Sequence, residues 1–289
     1  MNSKMLALSS AFATLMVVAP TAQAAPPPMM GVMYLGFAEW WDNYDFRSGG
    51  ESGPQFDYKH PSLYGFGKVN VPYDSDVNLQ FDLFGDASMH ESSNLEVGGR
   101  GNFGAGVHIN ARDSNEGLLG VFGATGRVWD VFALNNSPVV MAGLEGQYYC
   151  GHWTFYGQGG YMDSDANAGF MQNAGFVRGL VSYYASPRLK LTGGLGYVDG
   201  DLDGDNATAV AWQADGQYWF GRSVPVAVTL KYEGRRSDVH FGSTLGRLDS
   251  NEVSVGFSFY FGGDNLEQAD RTGAGTEIPN FDWFRLPVY

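Results

Sequence analysis

The chain of 289 residues is poor in three things, and each shortage closes a class of structure. Cys150 is its only cysteine, so no internal disulfide can brace it. Beyond the N-terminal leader no apolar run approaches the ~18 residues that mark a spanning helix, so helical passage through a membrane is excluded. Bases are scarce as well: 17 Lys and Arg stand against 31 Asp and Glu, a net charge of −14. Phosphate backbones require a basic face, so nucleic acid is not an expected partner.

Glycine, by contrast, is plentiful: 41 residues, about twice the ~7% of ordinary chains. That suits a tightly curved sheet and argues against helices. Residues 1–24 read as a signal peptide. Lys4 supplies the positive end, Met5 to Ala19 the apolar stretch, and Ala22-Gln23-Ala24 the small-x-small cleavage site. A stiff, proline-rich leader follows at 25–30. No cysteine follows the cleavage site, so lipid attachment is not expected.

The main signal is a period of two. In Glu252 to Phe261, Val253, Val255, Phe257, Phe259 and Phe261 point one way. Ser254, Gly256, Ser258 and Tyr260 point the other. A strand with an oily and a polar face, repeated around a closed sheet, is the pattern of a transmembrane β-barrel. Strands are expected at 31–40, 61–71, 77–86, 98–110, 117–129, 138–149, 153–162, 174–185, 188–198, 207–220, 224–235 and 252–262. Short connections (72–76, 113–116, 150–152, 186–187, 221–223) alternate with longer ones near 41–60, 87–97, 130–137, 163–173, 199–206 and 236–251. Short turns face the periplasm and long loops the outside. The last strand therefore descends, the strand at 61–71 also descends, and 31–40 must climb before it. The expectation is all-β: a single antiparallel up-and-down barrel of twelve strands over 31–262, ten and fourteen being the neighbouring even counts. Tyr148, Trp153, Tyr183, Tyr184, Tyr218 and Phe220 flank the short turns, as interfacial aromatic girdles do.

Signal peptide, hairpin rhythm and the strand Ser254-Val-Gly-Phe-Ser-Phe-Tyr-Phe261 together resemble the broad porin-like outer-membrane barrel families of Gram-negative bacteria, over about 31–262. The resemblance implies an outer-membrane location, contact with membrane lipid and lipopolysaccharide, and handling by the barrel-assembly machinery. In those families the closing strand usually ends the chain on an aromatic residue. Here that residue is Phe261, with 28 residues beyond it. Residues 263–289 are expected to form a periplasmic tail, although blocking of the pore is a second possibility for them.

Alternation assigns Lys68, Arg100, Arg127, Arg178, Arg188, Lys190 and Lys231 to the lumen, with Asp82, Glu145, Asp215 and Glu233. Asp82, Arg100 and Arg127 should share a level, Glu145, Tyr156 and Arg178 a second, and Lys190 should pair with Asp215. A charged constriction selecting solutes and a wall braced by ion pairs both fit that pattern. The expected activity is a porin-like channel for passive or weakly selective diffusion of small hydrophilic solutes. An open lumen would prefer anions slightly, through Arg100, Arg127 and Arg178. The alternatives are a non-conducting structural or adhesion protein and, third, a barrel hydrolase. Asp199, Asp201, Asp203 and Asp205 resemble the start of a calcium loop, but the position of the bidentate glutamate is Val210, and a solvated loop is the plainer reading. No metal and no cofactor is expected. Among His60, His90, His108, His152 and His240, only His90-Glu91 and Asp238-x-His240 sit where an external acid–base pair would, and neither carries a catalytic motif.

Overall fold

The computed structural model describes residues 28–48, 51–74, 76–91, 97–130, 135–165, 169–221 and 225–286; the signal peptide expected at 1–24 lies outside them. Twelve strands run in chain order. They are β1 (Met30–Ser48), β2 (Glu51–Pro72), β3 (Val77–Glu91), β4 (Val97–Asp113), β5 (Gly117–Asp130) and β6 (Asn135–Cys150). There follow β7 (Trp153–Ser164), β8 (Gln172–Ser186), β9 (Leu189–Leu202), β10 (Asp205–Trp219), β11 (Val226–Phe241) and β12 (Thr244–Phe261). A short helix α1 (Leu266–Thr272) and a 3-10 turn (Phe281–Phe284) follow.

Every strand pairs antiparallel with its chain neighbours, and β1 pairs with β12 to close the barrel. The closing ladder runs without a break from Gly31↔Phe261 to Ser48↔Thr244. Closure leaves no edge, so the backbone polar groups of the spanning strands are met inside the sheet. Outward residues form an apolar surface: Leu35, Phe37, Leu83, Phe103, Leu144, Val177, Leu195, Leu230 and Phe257 are all exposed. In water such a patch would be a liability. Around a closed barrel it is a lipid-facing band.

The short connections at 113–116, 150–152 and 186–187 are as expected, and those at 72–76 and 221–223 fall partly outside the described residues. One is anchored by Asp74, whose carboxylate accepts from the backbone amides of Asp76 and Val77. These amides hold its carboxyl below the usual range. Three expected long loops are not loops. At 41–60, 199–206 and 236–251 the strands continue, so β1–β2, β9–β10 and β11–β12 are ladders reaching past the membrane. The β9–β10 arm turns on Asp203 and Gly204, both at positive φ (53° and 92°). A spanning strand needs only ~9–11 residues, whereas β2 has 22 and β12 has 18. Polar sequence beyond the membrane was read as loop because the alternation there no longer separates oil from water.

Leu195, 67% exposed in the middle of β9, tests the lipid band. Leu195→Arg should lose about 2–4 kcal/mol. Equilibrium unfolding in phospholipid vesicles measures it, and a loss near zero would place Leu195 outside the hydrocarbon.

Candidate functional site

The inward face carries Lys68, Asp82, Arg100, Glu145, Arg178, Lys190, Asp215, Lys231 and Glu233, as alternation predicts. Two expected members are elsewhere. Arg127 is exposed on the outer face, opposite Phe103 in the β4–β5 ladder. The strand there is one residue out of the assumed phase, since Phe122 and Val128 are the fully buried positions. Arg188 is exposed in the periplasmic turn between β8 and β9. Five further ionic residues point inward: Asp42, Asp86, Arg112, Arg235 and Glu252. The phase of β12 already contained Glu252, two before Ser254. Asp42 and Arg112 lie past the expected strand ends. Among the described residues the wall is therefore balanced, seven bases against seven acids, not basic.

The expected rows are only partly assembled. Tyr156 donates to Glu145 at 2.7 Å, and the Arg178 guanidinium lies over the Tyr156 ring. Arg100, however, pairs with Asp42, and Asp82 turns to His108. His108 is fully buried, its Nδ1 2.9 Å from Glu145 and its Nε2 3.3 Å from Asp82. Both ring nitrogens face carboxylate oxygens, and a histidine donating from both is the imidazolium. Lys190 pairs with Asp270 at 2.6 Å, not with Asp215, and Lys231 with Glu233 at 2.5 Å.

Asp270 belongs to the C-terminal segment, which takes the second of its two expected places, inside the pore. Only α1 sits at the periplasmic mouth. There Leu266 N–H donates to the Pro187 carbonyl, and Arg271 donates to the carbonyls of Gly151 and Trp153. Residues 273–286 do not stay in the periplasm. They run up the lumen as a thread. Arg112 donates to the Gly273 carbonyl, Gln147 to Gly275, Lys68 and Gln80 to Thr276, and Gln158 to Glu277. The Glu277 carboxylate meets Arg178 at 3.0 Å. Higher up, the Trp283 indole donates to Glu233 at 3.1 Å. At the external end Met171 N–H donates to the Phe284 carbonyl and Leu286 N–H to Gly169, beside a single β-bridge between Phe170 and Arg285.

The wall is shaped for this segment. A β-carbon at Gly126 would overlap the Phe281 ring, and one at Gly196 the Trp283 ring. Phe281 meets Phe84 edge-on at 4.9 Å, and Phe284 meets Phe176 at 5.6 Å. With Phe122, Met141, Met162 and Met171 these rings form a dry core in the external half of the lumen. The sequence held one sign of it: Phe281-Asp-Trp-Phe284 is too apolar for a solvated tail. Beside the thread, against β1 to β3 and β9 to β12, a cavity of about 220 Å3 remains.

Among the described residues the four calcium-loop carboxylates do not converge on one point, and Asp238 and His240 do not pair with each other. Asp199 and Asp205 lie on the two strands of the β9–β10 arm, Asp203 in its turn, and Asp201 accepts from Asn173. His240 is exposed, and Asp238 is held by Arg247 at 2.7 Å. The side chains of His90 and Glu91 lie outside the described residues.

No protein-family model matches the chain, and no curated protein matches its sequence. Solved structures do match. An outer membrane channel of Pseudomonas putida F1 aligns over 85% of this chain and 100% of its own, at 14% identity and TM-score 0.57. A mutant of the TodX monoaromatic hydrocarbon channel aligns over 82% and 91%, at 10% identity and TM-score 0.51. The outer membrane protease OmpT of Escherichia coli aligns over 83% and 99%, at 10% identity and TM-score 0.39, too weak a likeness to bear on chemistry. These likenesses are of fold: the chain has the closed antiparallel β-barrel architecture seen in outer-membrane channels.

Two substitutions test the lumen. His108→Ala leaves Asp82 and Glu145 buried without their common base, so stability should fall by about 3–5 kcal/mol in equilibrium unfolding. Gly196→Leu fills the seat of Trp283. It should cost about 1–3 kcal/mol by overpacking and expose the indole to acrylamide quenching; unchanged quenching would mean the seat is not needed.

Proposed function

We propose that this barrel is a narrow outer-membrane channel for passive diffusion of small hydrophilic solutes, closed by its own C-terminal thread. One observation carries the reading. The β1–β12 ladder closes the barrel without any strand from 263–286. The thread contributes one bridge to Phe170 and is otherwise held by side chains and a few loop contacts. Its departure would leave the ladder whole and bare a wall of Lys68, Gln80, Gln147, Gln158 and Arg178, groups that water can satisfy. The two solved barrels compared above at TM-scores over 0.5 are channels, which supports passage as the activity. The hydrocarbon of one is not carried over, because the middle of this lumen is ionic.

Of the three carriers expected for an anion preference, Arg127 is outside and Arg100 is paired with Asp42 of the wall; Arg178 alone remains, held by Glu277 of the thread until the thread leaves. Lipid and lipopolysaccharide around the apolar band, and assembly machinery reading the strand that ends at Phe261, complete the proposed setting. A second reading, a non-conducting structural barrel, is favoured by the dry aromatic core at the external end.

Planar-bilayer recording separates the two. The full chain should be almost silent. Loss of the anchoring rings (Phe281→Ser, Trp283→Ser and Phe284→Ser together) or removal of 263–289 should give steady conductance. Silence from variants that still migrate as folded, heat-modifiable barrels would sink the channel and leave the structural reading.

A further inference from the structure

The cavity beside the thread has a chemistry of its own. At about 220 Å3 it has room for about seven waters at ~30 Å3 each, and it is smaller than the ~300 Å3 of ordinary drug-sized pockets. Both the wall and the thread line it. Eight carboxylates face it, among them Asp270 of α1 and Glu277 and Asp282 of the thread, against four bases. None of the four bases is available to an incoming anion. Arg178 is bound to Glu277, Lys190 to Asp270 and Lys231 to Glu233. Lys68 donates to the Thr276 carbonyl and lies over the Phe66 ring.

The acids are less fully matched. Glu233 and Glu252 are direct cross-strand neighbours on β11 and β12, and only Glu233 has a lysine. Like charges placed opposite each other destabilise a sheet unless a cation lies between or above them. Glu252 is 4% exposed and lines the cavity; among the described residues no base comes within ion-pair distance of it or of Asp215, and Lys231, which stands opposite Asp215 in the ladder, is turned to Glu233. The third feature is aromatic. Tyr34 and Tyr64 lie with ring centroids 4.9 Å apart, and Phe66 stacks on Tyr34 at 5.0 Å, all three facing the same space. Buried carboxylates next to aromatic faces are the recognition chemistry of an organic cation, which gains from both.

We propose that this chamber, formed jointly by wall and thread, binds a small organic ammonium ion, with Glu252 and Asp215 as counter-ions and Tyr34 and Tyr64 as the aromatic wall. The assignment names the solute class of the proposed channel and so rests on that reading. The chamber is nevertheless complete while the thread is in place, so binding is measured on the closed protein and does not depend on conductance.

The experiment is calorimetric titration of the full chain in detergent with benzylammonium, and with benzyl alcohol and benzoate as neutral and anionic matches. Benzylammonium should bind saturably, at least ten-fold tighter than benzyl alcohol, with no binding of benzoate. Glu252→Gln should weaken it ten-fold or more, and Asp215→Asn serves as a second variant should the first not fold. Asp203→Asn, in the external turn, should leave binding unchanged. Equal affinity for benzyl alcohol, no binding of benzylammonium, or binding indifferent to both carboxylate variants would overturn the proposal. Binding without conductance in the thread variants would retain the site and remove the channel. Conductance without binding would do the reverse.

Discussion

Every other feature of this protein depends on one constraint: in lipid, each strand must find hydrogen-bond partners on both sides. The β1–β12 ladder meets it by joining the first strand to the last along their whole length. Closure fixes the inside and the outside at once. The residues that face out must be apolar, and the residues that face in are confined with one another in a space of fixed width. Around eight strands, wall side chains alone fill such a space, and at sixteen to eighteen it is a water channel. Twelve strands with so many inward glycines leave an intermediate gap.

The chain fills most of that gap with itself. The thread does two kinds of work along its length. In the periplasmic half, wall side chains donate to its carbonyls, which otherwise would be buried unmet. In the external half, Phe281 and Trp283 enter seats left by Gly126 and Gly196, Phe284 packs on Phe176, and all three rings are buried as in a protein core. The charges follow the same division. Asp270 and Glu277 take Lys190 and Arg178 out of service as free lumenal bases. A channel reading of the wall alone would assign those two residues to solutes.

Much of the fold was legible because its rule is local. Alternation over Val253 to Phe261 needs no distant partner to be read, and the short turns show which end is which. The reading failed where its local premise did. Beyond the membrane both faces are polar, so the arms of β1–β2, β9–β10 and β11–β12 looked like loops. In β5 a run of small residues blurred the phase, and Arg127 was placed on the wrong face. Phe122 and Val128, both buried, are the residues that correct it.

The sequence by itself determined the class of the protein, its strand count and the inward side of residues such as Lys68, Glu145 and Glu233, because period two is a property of the backbone. Only the tertiary structure decided which charge meets which. Asp42 with Arg100, and His108 between Asp82 and Glu145, join residues set by barrel curvature and stagger, which no spacing along the chain records. The place of the last residues was decided there too. A segment that forms no ladder has no periodicity to read, and its position follows from the shape and donors of a lumen that exists only once the barrel has closed.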